Sequence, residues 1–137
     1  MEYFKDHSLD IKKYRYWTLA LHSNQSYLGR CVCYLNIYKD NLSELDKKEY
    51  LELFEIIKEH QKALEKLWTP DLWNYAQLGN VTPHLHLHFI PRYMNSRKFG
   101  NVIFEDDRWG ENYAPASPKL FQKEMLNEII DAIKSSM

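Results

Sequence analysis

The stretch His84-Leu85-His86-Leu87-His88-Phe89-Ile90 decides how this chain is read. In a β-strand successive side chains point to opposite faces, so Leu85, Leu87 and Phe89 share an apolar face that belongs in a core. His84, His86 and His88 share the other face, three imidazoles spaced roughly 7 Å apart along one rigid element. Three readings of that row stand side by side. They can be unrelated surface histidines on a solvated face. They can be metal ligands, since imidazole is the commonest ligand for zinc and its relatives. Further ligands would then have to come from distant His7, His22 or His60, or from loop carboxylates. Or they can do covalent catalysis: a neutral imidazole is a competent nucleophile toward an activated phosphate, and its neighbours can orient it and bind the phosphate oxygens.

Working outward, the chain alternates strand and helix signals. Tyr14 to Leu21 and Arg30 to Tyr38 are rich in β-branched and aromatic residues and are separated by the polar turn His22 to Ser26. A long helix is predicted over about Lys47 to Trp68. Asp46 and Glu49 have the spacing of a capping box, and Pro70 stops the helix. Its apolar stripe is expected along Tyr50, Phe54, Ile57, Gln61, Leu64 and Trp68, with Leu51, Leu53 and Leu67 widening it. Leu72 to Leu78 reads as a third strand and His84 to Pro91 as a fourth. After Arg92 the sequence is loop-like until Ser117-Pro118, which looks like an N-cap and first-turn proline for a closing helix. Strands, a long helix, strands and a final helix predict an α+β domain on a mostly antiparallel sheet. The 137 residues fit one domain, 1–137, with a core over about 16–113 and a C-terminal helix over about 118–135.

Composition narrows the classes of function. The formal net charge of −1 gives no basic field for a nucleic-acid partner. No apolar run reaches the roughly 18 residues of a membrane-spanning helix. The charged start, Met1 to His7, lacks the apolar core of a signal peptide. Cys31 and Cys33, the only cysteines, are badly placed to bridge each other and lack metal-like spacing, so a reducing compartment, the cytoplasm, is expected. The four glycines form no phosphate-cradling loop, and no nucleophile elbow is present. Arg92, Arg97 and Lys98 could meet distal phosphates, Glu105-Asp106-Asp107 could hold a divalent cation, and Trp17, Trp73 or Trp109, the last the best placed, could stack on a base. Each also has an ordinary structural reading.

At every position the run from His84 to Ile90 resembles the signature of the histidine triad (HIT) family, His-φ-His-φ-His-φ-φ with φ apolar. Gln25-Ser26-Tyr27-Leu28-Gly29, Leu42-Ser43-Glu44-Leu45, Asn74 to Asn80 and Ile90-Pro91-Arg92 are similar to segments of HIT domains. Phe104 to Tyr113 resembles the tail of diadenosine-tetraphosphate-hydrolase-like members. The resemblance implies a five-stranded antiparallel sheet with two helices, commonly a homodimer. It implies His86 as nucleophile on the α-phosphorus, His88 against the phosphate and leaving oxygen, and His84 orienting His86 through the backbone. Asn80 and Asn74 match polar positions facing the phosphate, and Gln25 belongs to the matching loop. No cofactor is implied, although Mg2+ can accompany a polyphosphate substrate. Many members carry Gly-His where this chain has Gly29-Arg30, so a fourth active-site histidine is missing from the pattern. Arg30 can offer charge to a phosphate or point to solvent. Histidine at position 88 favours a hydrolase over a transferase. The implied substrate is a dinucleoside polyphosphate or a related nucleoside phosphate derivative. A non-catalytic nucleotide-binding scaffold and a strand-borne metal protein stand as alternatives.

Overall fold

The computed structural model describes residues 2–137. Helix α1 (Glu2–His7) leads into β1 (Ser8–Lys13), β2 (Trp17–His22) and β3 (Cys31–Leu35); a 3-10 turn (Leu42–Glu44) precedes α2 (Lys47–Leu67). Then follow β4 (Leu72–Ala76), β5 (His86–Arg92), the short pair β6 (Arg97–Phe99) and β7 (Val102–Phe104), and α3 (Lys123–Ser136). The first five strands form one antiparallel sheet in the order β1-β2-β3-β5-β4, with β6 and β7 paired separately. The α+β class, the five-stranded antiparallel sheet, the long helix and the C-terminal helix are all as expected.

One face of the sheet is the core. Trp17, Leu19 and Leu21 of β2 and Cys31, Cys33 and Leu35 of β3 pack with Phe89 against Leu53, Ile56, Ala63 and Leu64 of α2 and Ile129 and Ile133 of α3. Burying such side chains stabilises by roughly 1.5–3 kcal/mol each, and this layer fixes which residues are left for the other face. Cys31 and Cys33 are buried and unbridged, two packing residues of that layer.

Helix α2 begins on the expected capping box: Asp46 accepts the Glu49 N–H at 3.0 Å, and Glu49 accepts the Asp46 N–H at 2.9 Å. Its buried stripe is rotated from the expected one. Leu53 and Leu64 are buried as expected, but Ile56, His60 and Ala63 join them, while Tyr50, Leu51 and Phe54 are exposed. With Leu42, Leu45, Ile57, Tyr75 and Leu87, Tyr50 and Phe54 line an open apolar cleft of about 680 Å3 beside β4.

Several boundaries differ from the sequence reading: β2, β3 and β4 are shorter than the stretches expected, and the β6–β7 pair lies where a loop was expected. The sheet starts at Ser8, ahead of the first strand expected, because β1 pairs with β2 and buries Ser8 and Ile11. The closing helix starts at Lys123 and not near Ser117. The backbone from Ser117 to Leu120 is taken by the 24–26 loop instead: Gln25 N–H donates to Lys119 O, Lys119 N–H to Asn24 Oδ1, and Ser26 Oγ to Ser117 O. The strand carrying the histidines starts at His86, so His84 lies ahead of it.

Candidate active site

The pairing of β3 with β5 sets Val32 opposite His88 and Tyr34 opposite His86, and Ala20 of β2 lies opposite Val32. These residues and Phe4 make a small second cluster on the face away from the helices. It is here that the histidines collect, on a floor of small or flat side chains.

His84 is pinned and turned inward. Its Nε2–H donates to Leu35 O at 2.6 Å, and its Nδ1 accepts the Lys39 N–H at 3.4 Å. Both ring nitrogens are thus spent, one on the end of β3 and one on the loop after it, and Tyr38 stacks on the ring with centroids 5.2 Å apart. What His84 offers its neighbour is a carbonyl. His86 Nδ1 lies 2.7 Å from His84 O, and a carbonyl can only accept, so Nδ1 carries the proton and Nε2 of the neutral ring carries the lone pair.

His88 has the opposite arrangement. Its Nδ1 lies 3.4 Å from Nη2 of Arg30, which can only donate, so the neutral ring keeps its proton on Nε2. Burial, and then Arg30 and His86, push the His88 pKa down to about 3. The guanidinium of Arg30 also lies over Tyr113, 5.6 Å from the ring centroid. Arg30 therefore faces the cluster and not the solvent.

Arg30 is set by a loop built around Gly29. Gly29 has φ of +89°, and its amide donates to Gln25 Oε1 at 2.8 Å. Gln25 Nε2 donates to His22 O at 2.8 Å and Arg30 O at 2.9 Å. Every amide group of Gln25 is thus engaged inside the loop, where the residue is wholly buried; it is a brace beneath Arg30, not a residue presented to a phosphate. His60 of α2 donates from Nε2 to Gly29 O at 3.1 Å, and burial holds its pKa near 4.

Asn74 lies on β4 opposite Ile90, where its Oδ1 accepts from Arg92 Nη1 at 2.9 Å. It lines a cleft with Ala76, Glu111, Asn112 and Tyr113. Asn80 is exposed in the loop between β4 and β5. The ring and guanidinium contacts of His86 and His88 go to Phe4, His22, Arg30 and Tyr113 and do not include Asn80.

Several secondary candidates are used elsewhere in the fold. Arg92 spends all five donors on Asp106, Asn74, Glu111 O and Arg108 O, so it fastens the 106–111 loop and has none left for a phosphate. Asp106 is the buried partner of that ion pair, which removes it from a cation site. Arg97 is likewise tied to Trp68 O, Thr69 O and Asn95 O. Trp17 is fully buried in the core. Among the described residues, no three His, Cys, Asp or Glu side chains converge as a ligand set.

Sequence reasoning missed three members of the site. Phe4 of α1 stacks face to face on Tyr34, centroids 4.6 Å apart, and meets the His86 ring edge-on at 5.1 Å. Tyr34 itself is fixed by a 2.9 Å bond from its hydroxyl to Asp10. His22, assigned to a turn, ends β2 with its ring 5.8 Å from that of His88. The parity of β2 was the available signal: Trp17, Leu19 and Leu21 claim one face, which leaves His22 with Ala20 on the other.

A sheet face carrying a histidine with its Nε2 lone pair free, between two others, is the arrangement that the resemblance to the histidine triad family implies. Residues 33–95 match the family model of the HIT domain. Solved structures agree on the fold. A histidine triad protein from Sinorhizobium meliloti 1021 superposes with a TM-score of 0.82 at 15% identity, covering 100% of this chain and 95% of that one. One from Marinobacter aquaeolei VT8 gives 0.81 at 18% identity over 98% and 92% of the two chains. A diadenosine triphosphate hydrolase from Plasmodium falciparum gives 0.67 at 16% identity, with 92% and 74% covered. No curated protein matches the sequence. No described helix is long and apolar enough to cross a membrane.

Proposed function

We propose that this protein hydrolyses a nucleoside phosphate derivative, with a dinucleoside polyphosphate as preferred substrate, through a covalent nucleotidyl group on His86. The observation that carries the reading is the 2.7 Å bond from His86 Nδ1 to His84 O, which leaves the lone pair on Nε2. That lone pair attacks the α-phosphorus; a P–N bond forms, and the P–O bond to the leaving group breaks with its electron pair going to that oxygen. Water then attacks the same phosphorus, the P–N bond breaks back to Nε2, and the water's proton is released with the nucleotide. His88, holding its proton on Nε2, donates to the phosphoryl or leaving oxygen; Arg30 adds positive charge beside it. Mg2+, where present, arrives bound to the polyphosphate as part of the substrate. Asn74 and Tyr113 line the cleft that receives the leaving group. The Plasmodium relative is a diadenosine triphosphate hydrolase, which supports the substrate class.

The working unit we propose is a homodimer. β4 is an edge strand, and the apolar cleft beside it exposes Tyr50, Phe54 and Tyr75, a surface suited to a second copy of the same face. The two unbridged thiols suit a reducing compartment such as the cytoplasm.

A substrate panel tests the activity: diadenosine tetraphosphate against adenosine phosphoramidate, with wild type and His86→Ala. The expected result is release of AMP by wild type, faster from the tetraphosphate, and none above background from His86→Ala. Binding by calorimetry with no product over long incubation would instead identify a non-catalytic nucleotide scaffold. Loss of activity with a chelator in the absence of Mg2+-bound substrate would favour the metal reading.

A further inference from the structure

Gly29 and Arg30 join the loop after β2 to β3, and α2 grips that junction from the core side of the sheet. Three residues spaced four apart do it: His60, Leu64 and the C-capping Trp68. Leu64 and Trp68 crowd the Gly29 Cα so closely that a Cβ would meet them at 2.6 and 3.1 Å. His60 takes the carbonyl, its Nε2–H donating to Gly29 O at 3.1 Å. The other main-chain groups of the pair are held from the same loop and from β2. Gln25 Oε1 accepts the Gly29 N–H, Tyr27 O accepts the Arg30 N–H at 2.9 Å, and the His22 N–H donates to Arg30 O at 3.1 Å. Cys31 Sγ adds a weak bond to Gly29 O at 3.4 Å. Among the described residues, His60 alone reaches this peptide from another layer.

An imidazole is a costly choice for that place. Apart from Glu49 of the capping box, the other buried positions of α2 are Leu53, Ile56, Ala63 and Leu64. The His60 ring is wholly buried beside Trp73 and Phe89, centroids 5.5 and 5.4 Å away. Its Nδ1 is buried with no partner among the described residues, and a leucine would fill the slot without leaving an acceptor unpaired. The second such atom is Nε of Arg30, on the other side of the same peptide. Unpaired polar atoms gathered at one peptide mark a place where function outweighs stability. What is at stake is Arg30. Its Nη2 reaches His88 Nδ1 at 3.4 Å, the long end of what a hydrogen bond tolerates, so a small turn of the Gly29–Arg30 peptide would break it. Glycine's free backbone allows such a turn. We propose that His60 is a positioning residue for this site: from behind the sheet it fixes the Gly29 carbonyl and thereby holds Arg30 against His88. The assignment rests on the nucleotidyl-transfer reading given above, in which His88 and Arg30 serve the phosphoryl and leaving oxygens.

Two substitutions separate this role from a plain core brace. His60→Leu keeps the bulk and removes the donor, whereas the amide N–H of His60→Gln can still reach Gly29 O. Each variant is melted, assayed for steady-state hydrolysis of diadenosine tetraphosphate, and examined by 15N-histidine NMR without ligand. His60→Leu should stay folded and lose on the order of 100-fold in kcat with little change in KM, as for a small misplacement of a group in the site. His60→Gln should return to within about tenfold of wild type. The spectrum is the readout that a structural role alone would not move. In wild type, His88 should show one tautomer, with Nδ1 bare and Nε2 protonated. In His60→Leu its two nitrogen signals should converge as Arg30 withdraws from Nδ1. The proposal needs both effects: wild-type kcat or an unmoved His88 spectrum in His60→Leu would overturn it, whatever the Tm. A His60→Gln variant no better than His60→Leu would also count against it. If His60→Leu does not fold, His60→Met carries the same expectation. Failure of both to fold would make the ring a requirement of the core and sink the positioning role. His86→Ala, run alongside, separates the two claims. If it turns over normally, the nucleotidyl-transfer reading falls and the His88 spectrum still decides for His60. If it is dead while the spectrum of His60→Leu is unmoved, only the role of His60 falls.

Discussion

A histidine attacks phosphorus only through a nitrogen that carries no proton, and here one backbone carbonyl decides which nitrogen that is. His84 O accepts the hydrogen bond from His86 Nδ1–H, while the His84 ring is held by Leu35 and Lys39. The first histidine of the row thus positions the second through its main chain. At the same scale, Gly29 is the residue on which the other half of the site depends. A Cβ there would lie 2.6 Å from Leu64 Cδ2 and 3.1 Å from Trp68 Cζ3, on a backbone with φ of +89°. Leu64 is fully buried and cannot retreat. Gly29→Ala should cost about 2 kcal/mol from backbone strain and overpacking together. It should also displace Arg30 from His88. Denaturant melting checks the first effect and kcat the second; a variant as stable and active as wild type would show that the loop tolerates another geometry.

At the scale of elements, α1 shows why sequence patterning reached only part of the site. Six residues are too few to form a stable helix alone. What places α1 is Phe4, 3% exposed, stacked on Tyr34 and edge-on to His86, and no local pattern announces that contact. β5 and α2 were legible because alternation and a capping box are local signals. The face that α2 buries was less so, since Tyr50 and Phe54 fit a helical stripe but lie over the cleft beside β4 rather than under the sheet. His22 was hidden by its place at a strand end, where turn residues begin. The exposed stripe carries its own prediction. Phe54 is 56% exposed in the cleft, so Phe54→Glu should leave the monomer folded. If a second copy covers this face, the charge would be buried unpaired and the dimer should dissociate by light scattering. A monomeric wild type, or a dimer unmoved by the substitution, would place the interface elsewhere.

For the molecule as a whole, acid is the expected weakness. Burial holds His60 near a pKa of 4 and His22 and His88 near 3, all below the 6.5 of an exposed imidazole. The unfolded chain takes up protons that the folded chain refuses, so stability is full above about pH 6.5 and falls as the pH drops toward 4. Between pH 7 and pH 5, where carboxylates contribute little, Tm should decline steadily, and His60→Gln should flatten the decline. A pH-independent Tm over that interval would mean that these imidazoles gain protons without unfolding.

The central claim is that His86 becomes covalently bonded to the nucleotide. Wild-type protein is mixed with diadenosine tetraphosphate, quenched within one turnover, digested and read by mass spectrometry. An adenylyl adduct should appear on the peptide bearing His86, decay as AMP is released, and be absent from His86→Ala. Product formation with no adduct at any time, undiminished in His86→Ala, would contradict it.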